Sequence, residues 1–151
     1  MSFFIGKEIY SLDSKGRVNF PLKMRKDIEG DDKERMIITR RPDSEKCLFI
    51  YPMDEWKNQI EVLRSLNNYR EKDRFFIRTF LENAERIELD SQSRISVSKD
   101  LVEYAELKKE VLIIGAMDHI ELWNPENYFT YCKSKEVEFP NVTDEVLGKS
   151  I

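Results

Sequence analysis

The sequence predicts an α+β fold in which two pseudo-symmetric β-hairpin repeats form an interleaved small barrel, with a helical hairpin between them and short helices around it. Three observations carry the prediction. Leu12-Asp13-Ser14-Lys15-Gly16-Arg17-Val18-Asn19-Phe20-Pro21 recurs as Leu89-Asp90-Ser91-Gln92-Ser93-Arg94-Ile95-Ser96-Val97-Ser98. After each copy comes the same order of elements: a short helix-like stretch, an apolar strand, then a second strand that runs into a helix start. Between the copies lie two stretches of helical period. Strand-turn-strand units of this length cannot bury a core singly, because a unit below about 40 residues normally needs a partner. Interleaving the copies within one chain supplies it.

The first copy occupies residues 1–52. Asp13 can bond the backbone two residues on, and Gly16 can take positive φ without steric cost, so residues 13–17 read as a turn between short strands. Pro21 suits the first position of a helix, where its missing N–H is not needed. The strands at 35–39 and 48–51 are rich in β-branched and aromatic residues. The helical hairpin spans residues 53–85, and Asp54 can cap the helix that carries Trp56. Trp56, Ile60 and Leu63 share one helix face, Phe76, Phe80, Ala84 and Ile87 another, and Leu66-Asn67-Asn68-Tyr69 reads as the turn between them. The second copy occupies residues 86–132. Ser98 is a candidate N-cap for residues 99–104, strand 110–115 follows, and Asn124 before Pro125 reads as a cap with an N1 proline. Trp56 and Trp123 are assigned to matching repeat positions near the helix starts, as core residues. Residues 133–151 sustain no periodicity and read as a loose, disordered tail.

Composition limits the function classes. An apolar fraction of 40% with 11% aromatic residues excludes a disordered chain. No run of about 18 apolar residues exists, so no membrane partner is expected. The first residues lack the basic flank and apolar stretch of a signal peptide. Cys47 and Cys132 have no CxxC spacing and support neither a disulfide framework nor a zinc site. The expected location is cytoplasmic. His119, in an apparent strand, reads as a packed residue. With no nucleophile–base set, Gly-rich phosphate loop or metal cluster, no catalytic residue, cofactor, metal or small-molecule substrate is expected. A net charge of −4 excludes a histone-like binder, yet residues 7–26 carry six basic and two acidic side chains, leaving −8 for the remainder. A basic patch on an acidic body can still attract a polyanion, because screening makes the near field decide contact.

The repeat also resembles a known family. Ser11-Leu12-Asp13-Ser14-Lys15-Gly16-Arg17 with Pro21, then Cys47-Leu48, Tyr51-Pro52 and Trp56, are similar to the first half of the MraZ family. Arg78, Asp90, Gln92, Arg94, Tyr104-Ala105, Ile114-Gly115 and Glu121-Leu122-Trp123 match its second half, so the likeness covers residues 3–131. The resemblance implies a fold related to the swapped-hairpin barrel of the AbrB and MazE DNA-binding proteins. It further implies a sequence-specific regulator, associated with the nucleoid, that binds direct repeats in promoter DNA and represses its own division and cell-wall operon. Assembly with copies of itself into rings is implied as well.

The chemistry of the repeated turn is consistent with a double-stranded DNA partner. Lys15 and Arg17 flank a glycine that permits close backbone approach. Arginine offers a fork for guanine O6 and N7, whereas lysine serves phosphate as a point charge. Arg17 and Arg94 are therefore assigned to DNA contact, Lys15 to phosphate, and Asp13, Gly16 and Asp90 to orienting the loops, with each aspartate in a bidentate pair with its arginine. The same pairs would equally serve only to tie the hairpins together. Ser93 replaces the family's glycine and Ser98 its usual proline. A serine in the left-handed region costs about 1–2 kcal/mol, which favours a different turn in the second copy. Gln92 in place of lysine lowers that loop's expected contribution to phosphate binding. Avidity from several subunits, about 10²–10⁴-fold, would offset the few contacts each chain offers. The competing reading is a ring-forming assembly module that acts through protein partners without DNA.

Overall fold

The computed structural model describes residues 1–40 and 45–148. In chain order the first copy comprises β1 (Lys7–Ser11), β2 (Arg17–Asn19), α1 (Leu22–Lys26), β3 (Arg35–Thr39) and β4 (Leu48–Pro52). The helical hairpin is α2 (Met53–Arg64) and α3 (Glu71–Glu82). The second copy comprises β5 (Glu85–Glu88), β6 (Arg94–Ser96), α4 (Lys99–Tyr104), β7 (Glu110–Gly115) and β8 (Ile120–Trp123), followed by α5 (Pro125–Glu138) and α6 (Val142–Leu147).

Six strands form an antiparallel sheet in the order β1-β7-β8-β4-β3-β5, while β2 and β6 form a separate antiparallel ribbon. Exchanging the two copies reverses this order onto itself. The registers obey the same operation: Leu48 opposes Leu122 and Ile50 opposes Ile120, about a centre at the Phe49–Glu121 pair. The first strand of each copy pairs with the third strand of the other, β1 on β7 and β5 on β3. The expected interleaved small barrel does not close in these ladders: β1 and β5 are the two edges of an open sheet. The ribbon strands are three residues each, and a single Leu12–Val18 bridge links β2 to the segment after β1, so the ladders break at that corner.

The sheet is covered on both faces, which explains why β4 is buried at all five positions and reads as a continuous apolar run. Leu48 and Ile50 point to one side and pack with Val18 and Ile95 of the ribbon, Met24 of α1 and Leu101 of α4. Phe49 and Tyr51 point to the other, where Leu63 of α2 and Phe80 of α3 close a second core and Tyr128 and Tyr131 of α5 pack against it. His119 is packed there, its ring stacked on Phe49 at 4.4 Å, with Nδ1 2.8 Å from Asp118 Oδ1 and Nε2 2.8 Å from Glu121 Oε2. Burial disfavours its charged form, but the two carboxylates outweigh that and raise its pKa.

Several elements differ from the sequence reading. Pro21 lies one residue before α1 rather than inside it. Asp54 does not cap α2 but lies in its first turn, where its carboxylate accepts hydrogen bonds from Ser2 N–H and Ser2 Oγ at 2.9 Å. The helix expected to run to Ile87 stops at Glu82; the Asn83 amide donates to Thr79 O at 2.8 Å, and Ile87 faces the core from β5. Trp123 ends β8 whereas Trp56 lies within α2, so the register matches Trp123 with Tyr51 and Trp56 with Tyr128. Their ring pairs correspond, Tyr51–Trp56 at 5.8 Å and Trp123–Tyr128 at 5.0 Å. Asn124 does cap α5, accepting from the N–H groups of Glu126 and Asn127, with Pro125 at its start. That start carries the helix past Lys133 to Glu138, helped by Lys133–Glu136 and Lys135–Glu138 pairs, and α6 follows. Residues 149–151 of the expected tail lie outside the described residues.

Leu122 is 0% exposed at the centre of the sheet. Leu122→Ala should destabilise the protein by about 2–5 kcal/mol, read as a lower urea midpoint.

Candidate nucleic-acid interface

Each repeated turn is organised around its aspartate. Asp13 Oδ1 accepts from the backbone N–H of Lys15 and of Arg17, both at 2.9 Å, while Oδ2 accepts from Arg17 Nε at 2.7 Å. Asp90 repeats the pattern with Gln92 N–H at 2.8 Å, Arg94 N–H at 3.0 Å and Arg94 Nε at 2.9 Å. The expected bidentate pairs are therefore absent. One carboxylate oxygen is spent on the backbone, and the other holds only Nε. This geometry leaves both terminal Nη groups of each arginine clear of the aspartate, so the pair aims the guanidinium and ties the turn at once. The backbone N–H of Arg17 is the main reason the Asp13 carboxyl lies below its usual pKa, and that of Arg94 does the same for Asp90.

The two turns sit at opposite ends of the β2–β6 ribbon. Arg17 opposes Ser96, Val18 opposes Ile95, and Asn19 opposes Arg94. Val18 and Ile95 are buried, so strand alternation turns Arg17, Asn19, Arg94 and Ser96 outward together. Arg17 and Arg94 are diagonal neighbours, about 7–8 Å apart along the backbone by the geometry of an antiparallel pair and somewhat closer at Cβ. Their side chains are 33% and 25% exposed, and Lys15 stands exposed at the first tip with no ion pair to the described residues. Lys23, Arg25 and Lys26 of α1 continue the positive charge after β2.

Ser93 does not force another turn. It takes φ +59°, against +79° for Gly16, and the same backbone bonds form in both copies. Gly16 N–H donates to Asp13 O and Ser93 N–H to Asp90 O. Each turn is also tied to the opposite copy, since Val97 N–H donates to Gly16 O at 2.8 Å and Phe20 N–H to Ser93 O at 2.9 Å. Arg25 from α1 donates to Ser93 Oγ at 3.0 Å, an anchor that Gly16 lacks. Ser98 caps α4, accepting from Leu101 N–H, and donates to Glu85 at 2.7 Å.

Among the described residues no helix is long and apolar enough to cross a membrane, and no group of three or more His, Cys, Asp or Glu side chains is placed to hold a metal ion. The family model described as "MraZ protein, putative antitoxin-like" matches this chain twice, over residues 3–79 and 80–149. The chain belongs to the MraZ family. A member named transcriptional regulator MraZ, from Natranaerobius thermophilus, is 42% identical over 148 residues, covering 98% of this chain and 99% of its own length.

For an MraZ chain the structure brings Arg17 and Arg94 onto one face and keeps Lys15 at a tip, with Gln92 at the equivalent place in the other turn. Sequence reasoning missed Asn19 and Ser96, which share that face. The available signal was the two-residue spacing from Arg17 to Asn19 and from Arg94 to Ser96, either side of an apolar residue.

Two outcomes follow from the turn geometry. A Cβ at residue 16 would lie 2.5 Å from Val97 O, and φ there is +79°. Gly16→Ala should therefore destabilise the protein by at least about 1–2 kcal/mol in urea unfolding. Because the Asp13 and Asp90 pKa values are lowered on folding, their contribution is fully present above pH 3.8 and is lost as pH falls through the folded values. The unfolding midpoint of Asp13→Asn/Asp90→Asn should accordingly fall less steeply than that of the native protein in this acid range.

Proposed function

We propose that the chain is a sequence-specific DNA-binding transcriptional regulator, acting in the cytoplasm on the nucleoid, that grips direct repeats in promoter DNA as a homo-oligomer and represses its own operon. The observation that carries this reading is the outward face of the β2–β6 ribbon, where two aspartate-aimed arginines lie beside an exposed lysine. A two-stranded ribbon fits the major groove of B-DNA, and Nη groups clear of their aspartates suit guanine O6 and N7. Gly16 lets the Lys15 tip approach the backbone, where lysine meets phosphate as a point charge.

Electrostatics supports an oligomer over a lone subunit. The net charge is −4, so long-range attraction to DNA is unfavourable and a single ribbon offers few neutralising contacts. Several ribbons in one particle bind tandem sites with a high effective concentration, provided that the spacing of the sites matches the spacing of the subunits. The name of the 42% identical relative favours the same class of activity.

Electrophoretic retardation of a promoter fragment with direct repeats tests the proposal. Binding should weaken steeply as salt rises, and Arg17→Ala should lower affinity by about 5- to 150-fold while far-UV circular dichroism stays native. Full retardation by a folded Arg17→Ala protein would remove the assignment. No salt-sensitive retardation by the native protein would favour a ring module acting through protein partners.

A further inference from the structure

Building on that DNA-binding reading, we propose that Asn19 is a base-reading residue that takes the N6/N7 edge of an adenine and thereby sets the direction in which each ribbon lies on DNA. Asn19 is exposed, opposes Arg94 across the ribbon and shares the outward face with Arg17. The hydrogen bonds that involve the ribbon residues and their turns leave its side-chain amide without a partner among the described residues. An amide combines one acceptor and one donor side by side, which is the complement of adenine in the major groove.

Symmetry gives this residue its importance. The ribbon's pseudo-two-fold passes through the Val18–Ile95 pair and maps Arg17 onto Arg94, Asn19 onto Ser96 and Lys15 onto Gln92. A fully symmetric ribbon would read a site equally well in either direction. Direct repeats present every site in one direction, so a binder of such repeats needs an asymmetric element that reads bases. The two arginines cannot supply it, because they are symmetry mates held by matching aspartates. The Lys15–Gln92 difference lies in the turns, outside the three paired positions of the ribbon that carry the two arginines. Asn19 against Ser96 remains as the asymmetric pair on the base-facing surface. A serine hydroxyl bonds acceptors and donors alike and discriminates weakly, whereas the asparagine amide discriminates.

Selection of bound duplexes from random DNA, with the native protein, Asn19→Ser and Ser96→Asn, tests this. Both changes lie on an exposed strand face, and the urea midpoint checks that each variant folds. The native protein should select an adenine on one side of its arginine-read core only. Asn19→Ser should lose that preference, with about 5- to 150-fold weaker binding to the native site and an unchanged dependence of log K on log salt. Ser96→Asn should gain an adenine at the position related by the pseudo-two-fold. An unchanged motif in Asn19→Ser overturns the proposal. So does weaker binding with the motif intact, which would make Asn19 an uncharged contact to phosphate or sugar. If the native protein shows no salt-sensitive binding, the DNA reading itself falls. Native binding with unaltered Asn19→Ser selection removes only the role of Asn19.

Discussion

Everything in this fold depends on strand exchange between the two copies. β1 finds its ladder on β7 and β5 on β3, and the third exchange, β2 with β6, builds the ribbon. Neither copy can satisfy its own backbone. Gly16 O and Ser93 O each accept from the other copy, through Val97 and Phe20. An unpaired buried carbonyl or N–H is costly, so separating the copies would expose several at once and open the apolar space beneath Val18 and Ile95. The two turns are thus fixed relative to each other by one short ladder. This is why two arginines 77 positions apart in sequence share a face with a defined offset.

The aspartates add a second level of control. A free arginine on an exposed strand samples many rotamers, and ordering it upon binding would oppose association. With Nε held by Asp13 or Asp90, the guanidinium plane is set before any ligand arrives. The arrangement lowers the net positive charge of the ribbon, because each arginine is accompanied by a carboxylate. Long-range attraction is sacrificed for direction. The exposed Lys15 tip and the basic end of α1 supply the remaining near-field charge. A surface built in this way suits recognition that depends on placement better than tight nonspecific adhesion.

Much of this could be read from the chain, and the parts that could not share a cause. The turns at Asp13 and Asp90, the Ser98 and Asn124 caps and the existence of α2 and α3 depend on side chains within a few residues of one another, where sequence chemistry is informative. The end of α3 was obscured because Ile87 continues the helical spacing by accident from the next strand. The span of α5 beyond Lys133 rests on a good start and surface ion pairs, neither of which leaves an apolar stripe. The outward face of the ribbon was hidden for a different reason. Three residues in β2 and three in β6 are too few to show alternation alone, and their partnership links positions that no local rule connects.

Ser93 shows which property of the second turn is maintained. It lies at φ +59°, where a side chain with a Cβ costs about 1–2 kcal/mol, and in that turn Gln92 stands where the first turn has Lys15. If charge at the tip were the whole purpose, a turn without lysine could relax to an easier conformation. It retains instead each backbone bond of the first turn, the Asp90–Arg94 latch and the cross-copy bond to Phe20, with Arg25 anchoring the serine hydroxyl. The first turn reaches the same conformation with a glycine, whose missing Cβ makes room for Val97 O. Two different residues therefore hold one geometry, and the strained copy keeps the placement of its arginine. The position of Arg94 beside Asn19, rather than the charge of its loop, is what this strain preserves.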